Sequence, residues 1–308
     1  MLRLLRFRDL EYFVAVAEHR SFAKAAGCLG TTQPTLSNQI RRIEELFSQR
    51  LFERSGRTIA LSPEGRRILA HARAVLHAFY DMDRAGKGYE SLKDRRFRIG
   101  ILATVAPYLA APFLEEIAQS HDKLRIELTE ALTDALETKV VNGDLDAAIM
   151  ATLPAVPVLT NKAIGVERAV FVSRDPVGRD PFKPNARRPI LLMQEGHCFR
   201  ELVHASIERM GSAESDTVDY RIGPASLFTL TNLVSAGIGD TVLPSPFVFR
   251  YASALGGLHT TELDPDLFSR EVQFVYRKAR DGNNDIETLR KLAARAHKSA
   301  SRHTPLHA

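Results

Sequence analysis

The sequence predicts a small, mostly helical head at the N-terminus, a long connecting helix and a larger α/β body. Three observations lead to this prediction. Apolar residues recur at helical spacing in three segments between Leu10 and Ile43, a 3.5-residue seam runs from Ile68 to Tyr89, and strand-like and helix-like segments alternate from Phe97. At 308 residues the chain is long enough for these parts. We therefore place three domains at 1–62, 63–92 and 93–300.

Charge is distributed unevenly along the chain. Residues 1–98 contain 19 Lys and Arg against 11 Asp and Glu, a net of +8, whereas the remaining 210 residues contain 23 against 26. A basic first third indicates a surface that binds a polyanion. A basic face that is merely solvated would have the same composition, so charge alone leaves both interpretations open.

The chain has the composition of a soluble globular protein. Two cysteines in 308 residues do not form a disulfide framework. No apolar run reaches the roughly 18 residues that a membrane helix requires, and the first residues mix charges with apolar side chains. We expect a cytoplasmic protein in a reducing compartment.

Two short amphipathic helices are predicted at the start of the head. The first, with Asp9 as its N-cap, has apolar residues at Leu10, Phe13, Val14 and Ala17. The second begins after Ser21 and ends before Gly30, with apolar residues at Phe22, Ala25, Ala26 and Leu29. Cys28 falls between the last two of these, so we expect it in the core.

A third helix is predicted to begin after Thr31 or Thr32, with Pro34 tolerated in its first turn. Two short helices joined by a glycine turn form a helix-turn-helix, whose second helix enters the major groove of DNA. The side chains expected to contact DNA are Thr32, Gln33, Pro34, Thr35, Ser37 and Asn38, with Arg41 and Arg42 on phosphates. A polar outer face on a small helical bundle is the alternative interpretation.

A β-hairpin and a long helix are predicted next. Residues 51–52 and 58–61 flank a Ser55-Gly56 turn, and Arg54 and Arg57 beside this turn would make it a basic wing. Ser62 is expected to cap the long helix. Its apolar seam is Ile68, Ala72, Val75, Phe79, Met82 and Tyr89, a spacing typical of a coiled coil. The seam predicts dimerisation; packing against the chain's own head is the alternative.

The body alternates strand-like segments, such as residues 97–103 and 124–131, with helical ones, such as 106–121. This order predicts a mostly parallel sheet with helices on both faces. We expect two α/β lobes, one of about 96–165 and 268–300 and one of about 166–267. A cleft between such lobes would bind a ligand.

These residues, in this order, resemble the LysR-type transcriptional regulators over nearly the whole chain. The segment that carries the resemblance most specifically is "SFAKAAGCLGTTQPTLSNQIRRIEELFSQRLFERSGRTIALSPEG". The resemblance implies a winged helix-turn-helix, a linker helix and a two-lobed domain similar to periplasmic binding proteins. It also implies double-stranded promoter DNA, further copies of the chain, RNA polymerase and a small-molecule effector as partners.

Within that family the body is similar to the members that respond to hydrogen peroxide, above all in "LLMQEGHCFRE". By that likeness Cys198 corresponds to the cysteine that reacts with peroxide, and His197, Thr104 and Thr133 to groups around it. Those members have a second cysteine nine residues later, where this chain has Ile207. A disulfide within the body is therefore not available, since Cys28 belongs to the head.

A single cysteine at Cys198 is nevertheless a candidate sensor. It falls at the expected start of a helix, after His197 and two residues before Arg200, and all three features favour a reactive thiolate. The alternatives are a small buried side chain at this position and a metabolite, in particular an anion, bound in the cleft. A periplasmic-type solute binder or an enzyme is a third interpretation, against which the basic head argues.

No enzyme, metal site or cofactor is expected. The chain contains no G-x-S-x-G, G-x-x-x-x-G-K-S/T or H-E-x-x-H motif. The spacing of His197, Cys198 and His204 fits no zinc pattern.

Overall fold

The computed structural model describes residues 5–55, 58–86, 96–121, 124–177, 181–182, 188–210, 218–219, 226–251 and 256–301. The chain divides into two compact units, which are Met1–Glu90 with Val141–Asp144, and Ser91–Val140 with Leu145–Ala308. The first unit contains the predicted head and connecting helix, and the second contains the predicted body. The domain boundaries at residues 62 and 92 stay predictions.

Three helices and a hairpin form the head, as the spacing of apolar residues predicts. The elements are α1 (Phe7–His19), α2 (Phe22–Cys28), α3 (Gln33–Phe47), β1 (Phe52–Ser55) and β2 (Thr58–Leu61). The two strands pair antiparallel, with Phe52 opposite Leu61. Buried side chains from all three helices, including Phe13, Ala25 and Leu36, make one core. Gly30 has a φ of 60°, a conformation that glycine adopts without strain, and it lies in the turn after α2.

The start of α1 differs from the prediction. Arg6 is the N-cap, and Asp9 lies within the first turn of the helix. The Asp9 carboxylate accepts a hydrogen bond from the Arg6 backbone N–H at 2.8 Å and another from Arg42 Nη1 at 3.2 Å. A carboxylate is favoured in the first turn because the helix dipole is positive there. Asp9 is therefore not the N-cap but the third residue of the helix, where it completes a capping box with Arg6. It is 2% exposed and also serves as a buried anchor between α1 and α3.

Cys28 is exposed, so its predicted place in the core is wrong. The buried side of the short helix α2 is formed by Phe22, Ala25 and Ala26. At 3.6 residues per turn, Cys28 projects about 110° away from the centre of that stripe. Its sequence neighbours are apolar, but its direction is outward.

The connecting helix α4 (Pro63–Gly86) begins with the predicted cap. Ser62 Oγ accepts a hydrogen bond from the Gly65 backbone N–H at 2.9 Å. Gly65 lies so close to the chain before β1 that an added Cβ would be 2.1 Å from the Leu51 carbonyl oxygen. The Leu51 N–H in turn donates to the Glu44 carboxylate at 2.8 Å. The base of the wing is therefore held by α3 on one side and by α4 on the other.

The apolar seam of α4 divides into two parts. Ala72 is buried in the head core and Ile68 packs against it, so this part of the seam belongs to its own head. The exposed members are Val75 at 52%, Phe79 at 40% and Met82 at 63%. Tyr89, the last member of the predicted seam, lies outside the described residues. The second part of α4 thus presents an exposed apolar strip.

The body is an α/β domain, as predicted. Its strands are β3 (Arg96–Leu102), β4 (Arg125–Ala131), β5 (Ala147–Met150), β6 (Leu159–Ser173), β7 (Ile190–Leu191), β8 (Val218–Asp219), β9 (Asp240–Pro244), β10 (His259–Glu262) and β11 (Ser269–Arg277). Its helices are α5 (Ala106–Ser120), α6 (Thr133–Asn142), α7 (Cys198–Arg209), α8 (Leu227–Ser235), α9 (Ser245–Arg250) and α10 (Asn284–Ala300). No helix in the described part of the chain is long and apolar enough to span a bilayer.

The sheet is mixed, and the prediction of a mostly parallel sheet is wrong. The strands follow the order β4-β3-β5-β11-β6-β9-β7-β8, and β10 also pairs with β6. β3 is parallel to β4 and β5, and β7 is parallel to β8 and β9. Every described pairing of β6 and β11 is antiparallel. These two long strands join the two parallel parts, and they place the end of β3, the start of α7 and the start of β11 at one site.

Candidate functional site

The outer face of α3 is the first candidate site. Its exposed residues are Gln33, Pro34, Thr35, Asn38 and Arg41, and Ser37 is partly exposed. Leu36, Ile40 and Ile43 are buried on the opposite face, as the apolar spacing predicts. The helix therefore presents amide, hydroxyl and guanidinium groups on one side. These groups can hydrogen-bond base edges and phosphates.

The N-terminus of α3 is capped by Thr32, one of the two predicted caps. Its Oγ1 accepts a hydrogen bond from the Thr35 backbone N–H at 3.4 Å, and the two threonine hydroxyls are 2.8 Å apart. Both threonines are exposed. The N-terminus of α3, where the helix dipole is positive, therefore faces solvent. Such an end is suited to bind a phosphate.

The basic residues predicted to touch DNA have different surroundings. Arg41 is exposed on α3, whereas Arg42 is 35% exposed and pairs with Asp9. Arg54 lies in β1 opposite Ile59, and the structure describes its backbone only. Arg57 lies outside the described residues. Arg41 is thus the arginine of α3 that faces solvent, while Arg42 also ties α3 to α1.

The second candidate site surrounds Cys198, the first residue of α7. The turn before it contains Gly196, with a φ of 88°, and His197 as the helix N-cap. Arg270 Nη1, from the start of β11, lies 3.7 Å from Cys198 Sγ and donates a hydrogen bond to Thr104 Oγ1 at 3.1 Å. Thr104 is fully buried and Cys198 is partly buried. The structure therefore places Cys198 and Thr104 at one site, where both contact the same arginine.

A buried ion pair holds that arginine. Arg270 Nε donates to Glu167 Oε1, and the Tyr108 hydroxyl donates to Glu167 Oε2. The Arg270 guanidinium also lies over the Phe199 ring, 4.7 Å from its centroid. Burial by itself would lower the pKa of Arg270, but attraction to Glu167 and to the other acidic groups raises it. Burial, followed by the Glu167 charge, raises the pKa of Tyr108 well above its usual value.

Several buried polar atoms, in residues beside Cys198 or in the segment that neighbours its turn, have no protein partner among the described residues. They are both ring nitrogens of His197, Thr133 Oγ1 and Arg270 Nη2. The segments that contain His197 and Thr133 are neighbours, since a Cβ added at Gly196 would lie 3.6 Å from the Leu132 side chain. Buried polar groups in proteins are nearly always satisfied, so these donors and acceptors suit a small polar ligand.

Two of the predicted contributions to a thiolate differ in the structure. His197 is 2% exposed, and burial lowers its pKa, so at neutral pH the ring is uncharged. Arg200 Nη1 donates to the Met193 carbonyl at 2.8 Å, and the cation recorded beside the sulfur is Arg270. Ile207, at the position where the peroxide-responsive members have their second cysteine, is 3% exposed in the apolar core under α7.

Sequence reasoning missed Arg270, Glu167 and Tyr108. The available signal was Glu167 and Arg270, each at the edge of a strand-like segment. A strand whose two faces are both covered rarely buries a charge without a partner. The three are far apart in the sequence, so the pairing itself could not be read from it. Elsewhere, His204 Nδ1 lies 3.4 Å from Glu208 on the same helix. The described residues contain no group of three or more His, Cys, Asp or Glu side chains suited to a metal ion.

Family models match both parts of the chain. Residues 7–66 match the bacterial regulatory helix-turn-helix protein, lysR family, and residues 90–298 match the LysR substrate binding domain. Together they cover most of the chain, which settles the family.

Similar proteins are regulators of the peroxide response. The DNA-binding transcriptional dual regulator OxyR of Escherichia coli is 31% identical over 278 residues, which cover 89% of this chain and 90% of that protein. A probable hydrogen peroxide-inducible genes activator of Mycobacterium avium is 35% identical over 246 residues, 78% of each chain.

Solved structures agree in fold. A full-length OxyR variant from Pseudomonas aeruginosa has a TM-score of 0.75 at 24% identity, covering 94% of this chain and 97% of that one. A cysteine variant of Corynebacterium glutamicum OxyR with hydrogen peroxide bound has a TM-score of 0.61 at 25% identity, covering 96% and 93%. Regulators of this kind bind promoter DNA and form oligomers. The chain therefore belongs to the LysR family of bacterial transcriptional regulators, and within it is an OxyR-like regulator.

Proposed function

We propose that this regulator responds to hydrogen peroxide, or to a related oxidant, through Cys198. One observation carries the proposal: a buried guanidinium lies 3.7 Å from the sulfur, and its Nη2 and both ring nitrogens of the adjoining His197 have no partner in the described residues. Thiolates, and not thiols, attack peroxides, and a guanidinium interacts favourably with a thiolate. The unpaired groups of Thr133, His197 and Arg270 are the donors and acceptors that a peroxide molecule would use.

The chemistry requires only the thiol and the oxidant. The Cys198 thiolate attacks one peroxide oxygen, an S–O bond forms and the O–O bond breaks. The second oxygen leaves as hydroxide and takes up a proton to become water, so the sulfur is oxidised by two electrons to a sulfenic acid. Arg270, which already donates to Thr104 Oγ1, is placed to stabilise the charge that develops on the leaving oxygen.

The product cannot be a disulfide within the body. Ile207 occupies the position of the second cysteine, and Cys28 belongs to the head. The sulfenic acid would persist, form a mixed disulfide with a small thiol or oxidise further. Any of these places new polar atoms at the N-terminus of α7, whose inner face packs Phe199 and Val203 into the core. This shifts the population between two packings of the body.

The outer face of α3 is the proposed DNA contact, with Thr32, Gln33, Pro34, Thr35, Ser37, Asn38, Arg41 and Arg42, and the wing with Arg54 and Arg57. The exposed strip of Val75, Phe79 and Met82 supports dimerisation through α4, which would pair two heads on a two-fold promoter site. The protein would act in the cytoplasm as a homodimer or homotetramer, regulating RNA polymerase at the promoter, without metal, cofactor or enzymatic activity.

Intact-mass analysis after mild peroxide treatment tests the sensing proposal. We expect the wild-type protein and Cys28→Ser to gain one oxygen atom at residue 198, and Cys198→Ser to gain none there. Footprinting on the adjacent promoter should change with peroxide in the first two proteins only. An unmodified Cys198, with Cys28 carrying all the added oxygen, would overturn the proposal.

A second candidate is an OxyR-like regulator whose cleft binds a small anion. The unpaired Nη2 of Arg270 favours it, because this buried donor could equally hold a carboxylate. A thermal-shift series of small carboxylic acids on Cys198→Ser separates the two. A saturable rise in melting temperature, retained without the thiol, supports this candidate, and its absence excludes the carboxylates tested.

A further inference from the structure

Arg270 is shared by two groups that can each be an anion. Its Nε donates to Glu167 Oε1, and its Nη1 lies 3.7 Å from Cys198 Sγ. The side chains of Arg270 and Glu167 are 6% and 1% exposed, so water screens neither from the other. One buried cation therefore serves a carboxylate at one edge of its guanidinium and the sulfur at another.

Glu167 has the hydrogen-bond pattern of an ionised carboxylate. Oε1 accepts from Arg270 Nε, and Oε2 accepts from the fully buried Tyr108 hydroxyl. His297 Nε2, on α10, lies 4.0 Å from Oε2. Burial lowers the pKa of His297, so this ring adds no positive charge at neutral pH. Arg270 is the only recorded cation for Glu167 among the described residues, as it is for the sulfur.

We propose that Glu167 is a positioning residue for the reaction of Cys198: it holds Arg270 beside the sulfur and, as a competing anion, limits how strongly Arg270 stabilises the thiolate. The inference deepens the proposed peroxide chemistry and rests on Cys198 being the reacting group. It assigns to β6 a residue that sets the reactivity of a thiol on α7.

The sign of the effect follows from the charges. With Glu167 ionised, a thiolate is the second anion on one cation, and the two anions repel each other in a poorly screened interior. Without the Glu167 charge, the thiolate is the sole partner of Arg270. The other ionisable groups recorded around the site are Tyr108 on α5, His197 beside the thiol and His297 on α10, and both histidines are neutral. Glu167 thus keeps the thiol less reactive than the arginine alone would make it.

Glu167→Gln tests this in the full-length protein. The amide can still accept from Arg270 Nε and can donate to the Tyr108 oxygen, so the shape is kept and the charge removed. In a Cys28→Ser background, the rate of alkylation of Cys198 by iodoacetamide is followed against pH. We expect the midpoint to fall by about one pH unit, which makes alkylation about tenfold faster below the midpoint.

Glu271→Gln is the matched control. It removes the same charge from the residue that follows Arg270 in β11. Glu271, however, is exposed, and its carboxylate accepts a hydrogen bond from Gln273 Nε2 at 2.9 Å. Solvent screens an exposed carboxylate, so the midpoint should not move. A midpoint that stays in place or rises in Glu167→Gln overturns the inference, as does an equal shift in the control.

A stability measurement on double variants provides a second test, which applies even if the single variant Glu167→Gln does not fold. Cys198→Asp places a permanent anion beside Arg270, and Cys198→Ser places none. We expect Glu167→Gln to raise the melting temperature of Cys198→Asp, where it removes the competing anion, and to lower that of Cys198→Ser, where it breaks a buried pair. A fall in both backgrounds would mean that Glu167 is structural only, and the inference would be wrong.

Both tests are independent of peroxide. A peroxide-insensitive Cys198 whose alkylation midpoint still falls in Glu167→Gln would contradict the sensing proposal and leave the charge sharing intact. A peroxide-sensitive Cys198 whose alkylation midpoint is unchanged in Glu167→Gln would support the sensing proposal and contradict the charge sharing.

Discussion

Arg41→Ala should weaken DNA binding mainly through its salt dependence. Arg41 is exposed on the outer face of α3. Each phosphate that a cation neutralises on duplex DNA contributes about 0.9 to the slope of log K against log salt. Between 1 M and 0.1 M salt, one such contact raises the affinity about eightfold more than in a protein without it. The two contacts of a dimer together raise it about sixtyfold. We therefore expect the slope to become shallower by about 1.8 for a dimer.

Fluorescence anisotropy with a labelled duplex of arbitrary sequence is a sufficient assay, because phosphate contacts do not read sequence. Titrations at several salt concentrations give the slope directly. Arg250→Ala is the matched control, since Arg250 is an exposed arginine of α9 in the body. Its slope should equal that of the wild-type protein.

Arg42→Ala provides the contrast on the same helix. Arg42 pairs with the buried Asp9 at 3.2 Å but is itself 35% exposed. Discounted for that exposure, the loss should be about 1–2 kcal/mol in the stability of the head, measured by urea unfolding.

If Arg41→Ala leaves the salt slope unchanged, the placement of the outer face of α3 on the DNA backbone is refuted.

Three further predictions concern stability. Gly65→Ala should destabilise the head by at least about 2 kcal/mol, because the new Cβ would meet the Leu51 carbonyl at 2.1 Å; unaltered urea unfolding of the head would contradict this packing. Burial lowers the pKa of His297, and the unfolded chain therefore binds protons first as the pH falls below about 6.5. Unfolding free energy should decrease from pH 7.5 to 5.5, and His297→Asn should flatten that decrease; an equal pH slope in the variant would assign it to other groups. Phe268→Ala should cost about 3–5 kcal/mol, since this fully buried ring stacks on Phe182 with centroids 5.5 Å apart, and a loss below about 1 kcal/mol by the same unfolding assay would argue against a tight core there.

The head could be predicted from the sequence because its determinants are local. The spacing of Leu36, Ile40 and Ile43 gives α3, and the hydroxyls of Thr32 and Ser62 cap α3 and α4 as expected. The role of Asp9 could not be predicted, because it depends on a distant contact. Acidic residues are common at N-caps, so the sequence predicts Asp9 there, but Asp9 is the third residue of α1 and pairs with an arginine 33 positions away.

The body was predictable in its order of elements and not in its pairing. Residues 159–167 form the first part of β6, yet they mix polar and apolar side chains, because the strand is partly exposed there. Cys198, Thr104 and His197 were placed at the thiol site from resemblance. Arg270, the partner that Cys198 and Thr104 share, was not placed there, since it lies 72 residues from Cys198 and 103 from Glu167 in the sequence. Contacts of that range depend on how the sheet is ordered.

The strand that carries Arg270 also reaches well beyond the thiol. Three residues after the arginine, β11 passes an irregularity between Val272 and Gln273, and from there to Tyr276 it is bonded to β5 on one side and to β6 on the other. Arg270 therefore lies on a strand that is hydrogen-bonded on both sides within the centre of the sheet. A change at Cys198 that moves Arg270 has a direct main-chain path to these central strands, without an intervening loop.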